Sequence, residues 1–160
     1  WVFNKKFRNR VRIISRGIIV GLGLLGLVPF LVILLPFFGM DRLLSFTIPF
    51  LFTCYSATIL SFLAGVLWGR VLADDDSLLT FFILIFSNAM ALFSWAGLLL
   101  YEASRASSLL LLMLGYLFIL LAELRYRRRI FHKLDSGYFR LRVLLTGTVL
   151  VLHVFALFLQ

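Results

Sequence analysis

The chain has 160 residues, 62% of them hydrophobic, with 18 phenylalanines, a mean hydropathy of +1.06 and a formal charge of +9. A soluble domain of this length cannot enclose so much apolar surface, which leaves a bundle of membrane-spanning helices as the class that fits. The basic excess sits in two blocks beside apolar stretches, a pattern of topology and lipid headgroups rather than of nucleic-acid binding, and the lone Cys54 excludes an internal disulfide.

The chain opens on Trp1 rather than Met, so an upstream segment such as a targeting sequence is expected. In residues 1–16, Phe3, Phe7, Val11 and Ile14 recur at helical spacing among Lys5, Lys6, Arg8, Arg10, Arg12 and Arg16. This predicts a basic amphipathic helix at headgroup level, serving as a topogenic anchor or as a docking arm for an acidic partner. The first span follows, Gly17 to about Phe38. Gly17 and Gly21 stand in GxxxG spacing, Pro29 and Pro36 predict a kink or an end, and Gly39 suits a left-handed cap. The segment Leu43–Ile48 is apolar but short, and extends the next helix or lies at the interface.

The second span starts near Pro49 and ends at Gly69. Its positions Thr53, Ala57, Ser61, Gly65 and Gly69 are all small and four residues apart. Such a stripe lets two backbones approach closely in lipid, so Ala57, Ser61, Gly65 and Gly69 are expected to pack on the glycine face of the first span, at Gly17 and Gly21. On that reading the second helix is central and Gly65→Leu disrupts the bundle. Asp74, Asp75 and Asp76 lack a second ligand cluster, so they read as a solvated loop rather than a metal site, with Ser77 capping the next helix.

The third span covers Leu78 to about Leu100, with Asn88 near its middle and Trp95 and Tyr101 toward its far end. Ser107 or Ser108 is expected to cap the fourth, Leu109 to Ala122, which ends in Glu123, Arg125, Arg127, Arg128 and Arg129. A basic, aromatic connector leads to the fifth, Leu141 to about Leu159. If the N-terminus is inside, residues 1–16, 70–76 and 123–142 carry 14 of the 16 Lys and Arg, leaving only Arg42 and Arg105 outside. The expected architecture is therefore an all-α, five-helix transmembrane domain over 17–160, N-terminus inside and C-terminus outside.

No nucleophile–base pair, phosphate loop or metal-ligand spacing occurs, and His132 and His153 are too far apart to share one haem. Every acid falls at a span end, so no catalytic, metal or cofactor site is expected. His153 is the one ionisable group within a span. It reads as a quinone-headgroup or proton-relay residue, or as a neutral ring bonded to Tyr116, which lies at similar depth. Asn88 reads as a pocket residue or as interhelical glue. Arg125, Arg127, Arg128, Arg129 and Lys133 border the leaflet and suit an anionic phospholipid such as cardiolipin.

The run SFLAGVLWG (Ser61–Gly69) resembles the Ser-Phe-Leu-Gly-Gly-x-His-Trp-Gly pattern of the family of unknown function 3429, uncharacterised five-span membrane proteins (transmembrane protein 69-like) of bacteria and mitochondria. Ser61, Phe62, Leu63, Gly65, Trp68 and Gly69 match, while Ala64 replaces a glycine and Leu67 the histidine. The glycine-rich first span and Trp95 fit as well. The resemblance implies an energy-transducing inner membrane, mitochondrial or bacterial, and supplies no activity. The expected role is a non-catalytic accessory or assembly subunit of a larger membrane complex, a respiratory one among the candidates, in contact with lipids and other subunits and not with nucleic acid. The alternative is a small transporter or quinone- or lipid-binding protein using His153, Asn88 and Tyr116.

Overall fold

The computed structural model describes residues 17–43, 45–72, 78–127 and 136–159. The amphipathic helix expected over 1–16, the Asp74–Asp76 loop, the Ser77 cap, Arg128, Arg129, His132 and Lys133 lie outside the described residues. Among the described residues five helical segments are long and apolar enough to cross a membrane: Gly17–Phe38, Ile48–Val71, Leu78–Leu99, Arg105–Arg125 and Gly137–Phe158.

The first span is α-helical over residues 17–25 (α1) and then tightens into a 3-10 helix, Val28–Phe38. Pro29 has no N–H to give Leu25, and its ring crowds that carbonyl, so the α ladder stops there. The prolines thus re-wind the span rather than end it. Gly39, at φ 77°, closes it in the left-handed region, and Met40 N–H donates back to Leu35 O. Instead of extending the next helix, Arg42–Leu43 (β1) pairs antiparallel with Phe46–Thr47 (β2) around Ser45, itself at φ 69°.

Helix α2, Ile48–Val71, takes Pro49 in its first turn and runs beyond Gly69. It packs against α3 (Leu78–Leu99), the first span and α4 (Arg105–Arg125), so its central position holds. Helix α5, Ser136–Phe158, closes the ring between α4 and the first span. Helix α4 begins before Leu109 because Ser104, not Ser107 or Ser108, is its cap: Ser107 N–H donates to Ser104 Oγ. Ser108 instead donates to Gly97 O across the α3–α4 contact, and Ser94 donates to Ala57 O across α2–α3.

The small-residue stripe does not meet the first span. A step of four residues advances 400°, so the stripe rotates about 40° per step and about 160° from Thr53 to Gly69. Thr53 and Ala57 are buried, Ser61 is half-buried, and Gly65 and Gly69 are exposed with nothing near where a side chain would start. Gly17 and Gly21 likewise meet no described residue where a side chain would start. Close approach occurs elsewhere. A Cβ at Gly97 would lie 2.8 Å from Leu112, and one at Gly115 would lie 2.5 Å from Leu60. These glycines seat a leucine from the facing helix, knob into hole, and join α3 to α4 and α4 to α2.

Candidate functional site

Two polar clusters tie the helices together, and they differ in how completely their bonds are made. The first lies deep in the bundle. His153 of α5 is wholly buried among Phe30, Phe52 and Tyr116, with Phe52 closest at 4.8 Å between ring centroids. Its Nδ1 lies 2.8 Å from Val149 O and its Nε2 2.8 Å from Ser56 Oγ. A carbonyl only accepts, so Nδ1 carries the proton and Nε2 accepts from the Ser56 hydroxyl. Tyr116 OH donates to Ser56 O at 2.8 Å. The direct His153–Tyr116 bond expected from their depth is therefore absent. Both side chains converge on Ser56, which joins α2, α4 and α5. Above it Tyr55 OH donates to Gly26 O, at the point where α1 gives way to the 3-10 helix. Both ring nitrogens of His153 are thereby engaged, and Tyr116 spends its one proton on Ser56 O.

The second cluster sits toward the end of the bundle where α2 and α4 finish and α5 begins. Glu123 is wholly buried near the end of α4, and Arg142 Nε of α5 donates to its Oε2 at 2.7 Å. An acid at a span end was expected to face water. The α4–α5 hairpin instead folds it inward onto Arg142. Among the described residues only half of the pair's capacity is used: Glu123 Oε1 and Arg142 Nη2 are enclosed without a hydrogen-bond partner there. Arg70 of α2 lies over the Tyr138 ring at 5.8 Å, and Arg127 over the Phe139 ring at 4.7 Å.

An apolar slot of about 250 Å³ opens beside this cluster, between the first span, α2 and α5. Leu22, Leu27, Phe30, Leu63, Val66 and Leu145 form its walls, and Tyr138, Arg142, Thr146 and Tyr116 supply the polar groups along it. On the opposite side of α2, a notch of about 170 Å³ between α2 and α3 is lined by Ser61, Ala64, Gly65, Trp68, Ser87, Asn88 and Ala91. Asn88 is exposed at mid-span. Its Nδ2 donates to Leu84 O at 2.9 Å, and its Oδ1 has no partner among the described residues.

The candidate residues are thus divided. His153 and Tyr116 share one cluster, and Asn88 lies apart in the notch with Ser61 and Gly65. Arg125 and Arg127 stand exposed at the end of α4. Among the described residues no group of three or more His, Cys, Asp or Glu could hold a metal.

The family model of DUF3429, described as a protein of unknown function, matches residues 15–158. The chain belongs to this family. The match spans all five helices, so the matched region takes in both polar clusters, the slot and the notch. Comparison with curated proteins and with solved structures found no match.

Proposed function

We propose that this DUF3429 protein is a non-catalytic accessory or assembly subunit of a larger complex in an energy-transducing inner membrane, mitochondrial or bacterial. On this reading it docks a partner transmembrane helix in the α2–α3 notch. The observation that carries the reading is Asn88. A primary amide exposed to hydrocarbon at mid-span is costly, and it stands beside Ser61, Gly65 and Ser87, the small and polar types that form helix interfaces in lipid. A second helix seated there would accept or donate the remaining Asn88 bonds. The surplus of Lys and Arg favours an N-terminus on the inner side, with Arg125 and Arg127 against anionic headgroups such as cardiolipin.

Purification in mild detergent, with identification of co-migrating subunits, tests the reading. Gly65→Leu is the sharp variant, because its side chain enters open space in this chain but fills the notch. Partners present with the wild type and lost with Gly65→Leu are the expected result. A wild-type chain that runs alone, or partners retained by Gly65→Leu, would overturn it.

A further inference from the structure

The slot between the first span, α2 and α5 carries one polar group that its apolar walls do not explain. Thr146 lines it from α5, is 3% exposed, and makes no hydrogen bond to a described residue. A threonine within a helix readily turns its hydroxyl back onto the carbonyl four residues earlier, as Thr53 does to Pro49, Thr58 to Cys54 and Thr148 to Leu144. Thr146 makes no such bond, and unlike Arg142 Nη2 its oxygen is not enclosed. A hydroxyl left unpaired in an apolar wall is costly, and valine would fill the same space without that cost. The slot also has an inner end and a mouth. Thr146, Phe30 and Tyr116 are buried at the inner end, whereas Ile19 and Leu22 of the first span and Phe62 of α2 line it and are exposed. Phe62 stands about two and a half turns from the nearer end of α2, so the mouth faces lipid.

We infer that the slot binds one long-chain quinone, ring first, with Thr146 Oγ donating to a ring carbonyl and the chain trailing through the mouth into the bilayer. Three observations select this occupant. Arg142 also lines the slot, but Glu123 balances its charge and its Nη2 is enclosed, so an uncharged ligand fits. The polar group is at the inner end and the apolar residues are at the mouth, which suits a lipid that enters by its polar end. A phospholipid inserting an acyl chain would bring only methylenes to Thr146. Depth points the same way. Thr146 stands about 13 Å along α5 from Gly137, where the span begins, in a hydrocarbon core about 30 Å thick. Phospholipid esters stay in the interfacial layer, so the acceptor must be a carbonyl that travels within the hydrocarbon. A quinone ring on a single apolar chain is such a carbonyl, and its flat face suits the aromatic walls at Phe30 and Tyr116. A hydroxyl both donates and accepts, so Thr146 also serves the hydroxyl of the reduced quinol. The ligand class is the one that His153 suggested, but Thr146 meets it, because both His153 nitrogens are engaged inside the bundle. The site lies across α2 from the notch and stands whether or not a partner docks there.

Native mass spectrometry of the full chain released from phosphatidylcholine nanodiscs loaded with decylubiquinone supplies the test. The wild type is expected to retain one decylubiquinone, and so is Thr146→Ser, which keeps the hydroxyl. Thr146→Val, of the same shape without the donor, should bind it about fivefold more weakly, as loss of one neutral hydrogen bond implies. Val66→Trp, which fills the slot, should abolish binding. Decylbenzene, a ring and chain with no carbonyl, should bind the wild type and Thr146→Val equally. A wild type that retains phosphatidylcholine and no decylubiquinone would make the slot an acyl-chain groove and overturn the inference. Equal retention of decylubiquinone by the wild type and Thr146→Val would leave the hydroxyl to a water and overturn it as well, as would retention by Val66→Trp. If Val66→Trp fails to fold, the contrast between Thr146→Ser and Thr146→Val decides the matter.

Discussion

His153 and Arg142 lie about three turns apart on α5, and each is buried against a partner from another helix. Around His153 every strong donor meets an acceptor: ring to serine, ring to backbone, phenol to backbone. Around Arg142 one strong bond is made, while a carboxylate oxygen and a guanidinium nitrogen are left over. In low dielectric a satisfied network specifies one packing, and a half-satisfied one is costly until something completes it. The difference assigns architecture to the first cluster and leaves the second as an ion pair whose bonding is incomplete among the described residues. It also reverses the order of interest given by residue type, since an intramembrane histidine attracts attention first.

The largest effect should follow from splitting the charged pair. Glu123→Leu leaves Arg142 buried without a counter-charge and should lose about 3–5 kcal/mol in reversible unfolding in bicelles, with most of it recovered by Glu123→Leu/Arg142→Leu. If the single and double variants are equally unstable, the pair is not what the helices depend on. Next comes Gly115→Leu, whose side chain collides with Leu60 and should lose about 1–3 kcal/mol in the same assay. Breaking the satisfied cluster should cost less. Tyr116→Phe removes one bond to Ser56 O and should lower stability by about 0.6–1.5 kcal/mol without changing which subunits co-purify. The smallest change is predicted for Gly65→Leu, within about 0.5 kcal/mol of the wild type. A larger loss there would mean that the notch is part of this chain's own packing.

Much of the fold was legible in the sequence because it depends on local quantities. Twenty apolar residues cross a bilayer wherever they occur, Pro49 starts a helix by lacking an N–H, and Gly39 caps one by tolerating positive φ. What was not legible depends on rotation and pairing. The stripe from Thr53 to Gly69 looked like a face, but its four-residue period spirals around the helix, so its end at Gly65 and Gly69 faces outward. The glycines that do admit a neighbour, Gly97 and Gly115, have no repeat to mark them; each needs one leucine from another helix. Glu123 looked like the solvated start of a charge run, and nothing local shows that α4 continues past it or that Arg142 waits on the next helix. A carboxylate at the end of one span and an arginine in the first turns of the next was the available signal.

The most direct measurement is the set of subunits that co-purify with the chain in mild detergent, compared between Tyr116→Phe and Gly65→Leu. Tyr116→Phe, whose lost bond lies inside the bundle, should melt lower than the wild type but keep its partners, while Gly65→Leu should melt as the wild type does and lose them. Partners lost with Tyr116→Phe, or kept with Gly65→Leu, would contradict the division between a packing cluster at His153 and a docking notch at Gly65.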